Sequence, residues 1–258
     1  MLEDVVNLNE VPIDDAEFTE KCRRELHQKG VVTLHNFLKR ETVDELVKEA
    51  KIQSSLAYFT NSTHNVYLTP KNESLGSEHV FNRQLNSSKG CITTDQIPEY
   101  SKLKELYFSD IFKNFISNVV NEEALYEYAD PLSSINVHYA AEGQELNWHF
   151  DNSKFAITLL LQAPDRGGNF EYVSDLRNAE KNEMNFIGVE SVLSGKTAIN
   201  RLDTRPGTLI LFRGKNSIHR VTPTEGPRER ILVVLAYNSK AGISLSESAR
   251  MTFFGRLQ

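Results

Sequence analysis

The chain has 258 residues, long enough to bury one sizeable core. With 40% hydrophobic and 25% charged residues, 13 Gly and 8 Pro, it is not a disordered, collagenous or coiled-coil chain. Twenty-nine basic against 35 acidic residues leave a formal charge of −6 and no dense basic block, so no nucleic-acid partner is expected. The longest apolar runs, Ala156–Leu161 and Ile231–Tyr237, are strand-length, so no membrane span is expected either. Cys22 and Cys91 cannot make a disulfide framework, and the acidic N-terminus lacks the basic and apolar regions of a secretion signal. The sequons at Asn61, Asn72 and Asn86 then read as chance matches, and a reduced cytoplasmic protein is the expectation.

In chain order, Asp14–Lys29 is predicted helical, with Gly30 as its stop. Val31–Leu34 is short and β-branched, hence a strand. Glu41–Leu56 places Val43, Leu46, Val47 and Ala50 on one stripe, an amphipathic helix. Residues 57–99, rich in Asn, Ser, Thr and Gly, read as loops with short strands. Pro98–Asn121 returns to helical spacing from Leu103 to Val119. The second half then changes character. Ser133–Tyr139, Asn147–Asp151, Phe155–Gln162, Gly168–Val173, Thr208–Phe212 and Ile231–Asn238 are strand-like segments between turn residues, and Lys196–Leu202 is a candidate for one more. Helices followed by short strands predict an α+β chain, a β-sandwich or barrel buttressed by helices. One domain, 1–258, is expected: helical support and lid over 1–130, core over 131–240, tail over 241–258.

His149-Phe-Asp151 lies inside a strand-like run. Side chains alternate across a strand, so His149 and Asp151 point to one face while Trp148 and Phe150 pack behind. His219 follows 70 residues later. Two imidazoles and a carboxylate make the facial triad that holds non-haem Fe(II) with open positions, and zinc is the competing metal for such ligands. Alone, His-x-Asp with a distant histidine is a weak signal.

Its surroundings strengthen it. Tyr139 stands ten residues before His149, with Gly143-Gln144 between them. Gly167-Gly168-Asn-Phe170-Glu171 follows, then Pro206-Gly207-Thr-Leu-Ile-Leu-Phe212, His219-Arg-Val-Thr-Pro223, and Arg230 before the strand Ile231–Tyr237. This ordered set resembles the 2-oxoglutarate/Fe(II)-dependent dioxygenases, particularly their prolyl-hydroxylase-like branch, over roughly residues 130–240. The resemblance implies a double-stranded β-helix, or distorted jelly roll, using Fe(II), 2-oxoglutarate and O₂. It implies His149, Asp151 and His219 as metal ligands and catalytic centre. It implies Arg230 as the bidentate anchor of the 2-oxoglutarate distal carboxylate, although a gapless count from His219 selects Arg228. Tyr139 matches a family tyrosine whose hydroxyl contacts the cosubstrate. A second family tyrosine is missing, since that strand reads Thr158-Leu-Leu-Leu-Gln162.

A narrower resemblance rests on Asn82–Gly90, Tyr128–Leu132, Trp148–Asp151, Leu159–Gln162 and His219–Pro223. These stretches look like a bacterial group acting on free amino acids, which includes radical halogenases of lysine and hydroxylating relatives. In the halogenases glycine replaces the metal carboxylate and leaves a place for chloride. Asp151 fills that place here, so the resemblance implies hydroxylation, with free lysine as the first substrate. Asp130 for the substrate ammonium, Arg83 for its carboxylate and Asn238 as a further contact complete the expected site, and a homodimer is admitted.

The blander readings stand beside these. His138 points away from Tyr139's face, and His27, His35, His64 and His79 lack partners at metal spacing; all five are expected to be packed or surface residues. The polar stretch 60–90 is either inert loop or substrate lid. Glu122, Glu123 and Glu127 read as a solvated helix end. Two other functions remain open: hydroxylation of protein side chains, and a non-catalytic jelly-roll binding protein.

Overall fold

The computed structural model describes all residues, 1–258. The chain opens with a single turn, α1 (Leu2–Val5), and then α2 (Ala16–Lys29). The Asp15 side chain caps α2 by accepting the Phe18 amide, and Gly30 ends it at a φ of 73°. After β1 (Val31–Leu34) and α3 (Arg40–Gln53), the polar stretch forms a long antiparallel hairpin, β2 (Tyr58–His64) with β3 (Leu85–Ile92). The helix expected over 98–121 is two: α4 (Lys102–Tyr107) and α5 (Asp110–Val120). The Ser109 hydroxyl accepts the Phe112 amide and starts a fresh helix there.

The second half supplies β4 (Ile135–Ala140), β5 (Leu146–His149), β6 (Ala156–Gln162), β7 (Arg166–Gly167) and β8 (Phe170–Val173). Next come α6 (Phe186–Leu193), β9 (Asn200–Arg201), β10 (Leu209–Phe212), β11 (Ile218–Val221), β12 (Thr224–Glu225) and β13 (Arg230–Leu235). The chain ends in α7 (Glu247–Phe254). Eleven strands form one antiparallel sheet, in the order β1-β10-β6-β13-β4-β3-β5-β11-β8-β9, with β2 on β3; β12 and β7 pair separately. Curled on itself, this is a jelly-roll core with helical backing. No helix is long and apolar enough to cross a membrane.

Alternation along the strands decides what each face does. Val137 and Tyr139 of β4, Ile157, Leu159 and Leu161 of β6, Leu209 and Leu211 of β10, and Ile231 and Val233 of β13 turn toward α2–α5, building a 35-residue apolar cluster. A second cluster of 8 residues lies across the roll, where Trp148, Phe150 and Ile218 pack against Val66, Tyr67, Val80, Val189 and Val192. The intervening positions face the interior of the roll. They include His138, Arg230, His149 and His219.

Candidate metal centre

β5 and β11 are neighbours, and their register sets His219 opposite His149, with ring centroids 4.1 Å apart. The Nδ1 atoms lie 2.8 Å and 3.0 Å from the carbonyls of Asn147 and Ser217. A carbonyl only accepts, so each Nδ1 carries the proton and each Nε2 presents a lone pair. Asp151 follows the end of β5, where its amide donates to the Gly214 carbonyl at 3.0 Å. Its Oδ1 stands 3.7 Å from His149 Nε2 and 3.5 Å from His219 Nε2. One donor atom from each residue falls within 4.8 Å of the others, a spacing that one small cation can bridge. The second carboxylate oxygen, Oδ2, is buried without a partner. Position 214 is glycine for a steric reason: a Cβ there would collide with the Asp151 carboxylate.

Burial, with His219 adding to it, pushes the His149 imidazole down to about 3, so it is neutral as a ligand must be. Burial alone would raise the Asp151 carboxyl, but the histidines beside it, His219 foremost, bring it below its ordinary value. Two neutral-capable nitrogens and a carboxylate suit Fe(II), and the unpartnered Oδ2 marks the carboxylate as unsatisfied by protein alone.

The two candidate arginines separate cleanly. Arg230 opens β13 and pairs with Ala140 of β4. It is 8% exposed, and burial is the one influence on its guanidinium, pulled down to about 10, because no acid or acceptor meets it. Arg228 lies outside, 3.2 Å from Asp165, with a further contact to the Pro164 carbonyl. Gly168 keeps the space over the Arg230 stem clear, where a Cβ would sit 3.0 Å from Cδ.

Three other expectations need correction. Tyr139 is on the helix-packed face of β4, fully buried, and its hydroxyl donates to the Ala50 carbonyl at 2.7 Å. His138 takes the inward place instead. Asp130 is buried and already satisfied: Oδ1 accepts from the amides of Leu132 and Ser133 and the Ser133 hydroxyl, Oδ2 from the Leu245 amide. It organises a turn. Arg83 forks onto Glu190 at 2.8 Å and 3.3 Å, and both side chains are partly exposed. Asn238 pairs its backbone with Tyr126 and leaves Nδ2 buried without a partner.

Two residues that sequence reasoning set aside as packed or surface, His64 and His138, face the centre, and Lys89 joins them. The His64 ring stands edge-on to His149 at 5.9 Å; Nδ1 contacts the Asn65 carbonyl, and Nε2 is buried without a partner. Lys89 Nζ lies 3.3 Å and 3.5 Å from the ring nitrogens of His138. The signal that could have found His64 and Lys89 is alternation along β2 and β3, hidden by their polar composition.

Helix-backed, curled and carrying its cluster in the roll, the architecture is that of the 2-oxoglutarate/Fe(II) oxygenases. An oxidoreductase of the 2OG-Fe(II) oxygenase family from Burkholderia pseudomallei is 13% identical, over 88% of this chain and 93% of that one, with a TM-score of 0.53. A prolyl-4-hydroxylase from Pseudomonas putida is 13% identical over 86% and 100% at 0.54. The non-haem α-ketoglutarate-dependent carbocyclase SnoK of nogalamycin biosynthesis is 12% identical over 90% of each chain at 0.60. No curated protein matches the sequence. The chain belongs to the Halogenase D family, whose model matches residues 13–252.

Proposed function

We propose that the protein is an Fe(II)- and 2-oxoglutarate-dependent oxygenase that hydroxylates a free amino acid, with lysine as the first candidate. The observation that carries the oxygenase reading is the pairing of the His149–Asp151–His219 cluster with a buried arginine that has no counter-ion. An unpaired guanidinium in the interior is costly, and a bidentate carboxylate is the ligand that offsets it. When bound, the iron and its 2-oxo acid supply the oxidising power that reaches an unactivated C–H bond.

The chain's own residues do the rest. His149, Asp151 and His219 hold the metal, and their backbone-bonded Nδ1 atoms fix the direction of both imidazoles. Arg230 holds the far carboxylate of the cosubstrate and so sets its orientation. Asp151 occupies the place that is glycine in the halogenases the sequence resembles, which favours hydroxyl over halide as the transferred group. Placement in the Halogenase D family supports the oxygenase reading. With Asp130 and Arg83 both committed elsewhere, the substrate's charged ends need other partners; His64, beside His149, keeps Nε2 unpartnered, and Asn238 keeps Nδ2 unpartnered.

Hydroxylation of a peptide is the second reading. The outer edge of β2 takes no backbone partner besides β3 and leads to His64 beside His149, an edge an extended peptide could extend. One experiment separates the readings: a mass-spectrometric screen of the twenty common amino acids and proline-containing peptides with Fe(II), 2-oxoglutarate and O₂. A gain of one oxygen on lysine supports the first. Turnover of peptide with every free amino acid inert replaces it with the second, and a chlorinated product overturns the role given to Asp151.

A further inference from the structure

The wall that carries Arg230 holds a second cation. β3 pairs with β4 at Gly90–Tyr139 and Cys91–His138, and one further step of that register sets Lys89 beside Ala140. Arg230 pairs with the same Ala140 from the other side. Lys89 and Arg230 therefore flank a methyl group on one row of the interior, and His138 stands one pleat along. The ammonium is nearly equidistant from both His138 nitrogens, at 3.3 Å and 3.5 Å, and so is seated on neither lone pair. No acidic side chain hydrogen-bonds or ion-pairs with Lys89 or Arg230, and Asp151 is the one carboxylate within electrostatic reach of Lys89. Burial weakens the charged forms of Lys89, His138 and Arg230 alike.

Three basic groups thus share an interior wall that offers no fixed anion beyond Asp151. One carboxylate on Arg230 would leave Lys89 uncompensated; a ligand with a carboxylate at each end could answer both. We propose that Lys89, steered by the His138 ring, is a second anchor for the dicarboxylate cosubstrate, acting together with Arg230. This rests on the cosubstrate reading above. The position of Lys89 favours that ligand over the primary substrate, because the strand registers set it on the same row as Arg230, the anchor given above to the same ligand.

The test is calorimetric titration of 2-oxoglutarate into Mn(II)-loaded protein, which reports binding without turnover. Lys89→Met should weaken 2-oxoglutarate at least tenfold with Mn(II) affinity unchanged, and Lys89→Arg should restore most of the loss. The ligand-free Lys89→Met protein should melt no lower than wild type, since an uncompensated charge is removed. If Lys89→Met does not fold, Lys89→Gln gives the same comparison. Unchanged 2-oxoglutarate affinity in the neutral variant overturns the proposal, as does a loss confined to the amino-acid substrate. A wild-type protein that binds Mn(II) but not 2-oxoglutarate overturns the cosubstrate reading itself, and this one with it.

Discussion

Asp151 can enter the metal cluster because residue 214 has no side chain. The Asp151 amide bonds to the Gly214 carbonyl, and the carboxylate lies where a Gly214 Cβ would be. Gly214→Ala should therefore push the carboxylate away from the two Nε2 atoms. We expect metal affinity, read by Mn(II) calorimetry, to fall by about 10–100-fold, the range seen when a ligand loses its support. Overpacking should also cost about 1–3 kcal/mol of stability. Wild-type metal affinity in Gly214→Ala would show that Oδ1 does not depend on this cradle. At this scale the cluster was readable in the sequence from the spacing of His149 and Asp151, although Asp151 lies past the end of β5 and is held there by its amide bond to Gly214. The assignment of Tyr139 failed for a related reason. Alternation says that Tyr139 and His138 face opposite ways, not which of them faces the helices. Packing decides that, through the Ala50 carbonyl that receives the Tyr139 hydroxyl. His64 and Lys89 were hidden by the polar composition of β2 and β3, and their partners come from strands far away in sequence.

Among the elements, α7 was the least visible: residues 241–258 carry no marked helical stripe and were expected to be a tail. The Ser246 hydroxyl nevertheless caps α7 by accepting the Ala249 amide, and Phe254 packs with Leu132 and Cys91. Beyond it Arg256 bonds both carboxylate oxygens of Asp95, at 2.7 Å and 2.8 Å, and thereby ties the C-terminal segment to the end of β3. Burial would raise the Asp95 carboxyl, but Arg256 and Thr93 hold it below 3.8. A carboxyl depressed by folding stabilises the protein above its unfolded value and loses that effect as pH falls through the folded one. Both partners are about a third exposed, so the pair contributes on the order of 0.5–1 kcal/mol at neutral pH. Asp95→Asn should lower the urea midpoint accordingly at pH 7, and the difference from wild type should shrink as pH falls through the depressed value, which lies below 3.8. A difference that does not shrink on acidification would assign the effect to packing instead of charge. The hairpin β2–β3 was half legible: short strands were expected within 57–99, but not their extent, because residues such as Thr60-Asn-Ser-Thr63 carry no apolar alternation.

On the scale of the whole molecule, the helical half and the roll are joined by one apolar cluster, yet the metal-bearing strands β5 and β11 rest on another. Leu106 of α4, fully buried, belongs with Ile135 and Val137 of β4 to the first cluster, and α4 contacts β4. Trp148 of β5, the one tryptophan in the chain, belongs to the second. His149 and His219 lie on strands whose buried neighbours, Trp148 and Ile218, belong to the second cluster alone. The two clusters should still unfold together, because β3, paired with both β4 and β5, carries the ladder from one side of the roll to the other. Far-UV circular dichroism follows mainly the helices α2–α5, whereas Trp148 fluorescence follows the second cluster, so coincident urea curves are the expected result. Leu106→Ala should cost about 2–5 kcal/mol and shift both curves by the same amount, although Trp148 lies in the other cluster. If only the circular dichroism curve moves, the helical backing and the metal-bearing strands are separate cooperative units, and the metal centre would survive loss of the helices behind it.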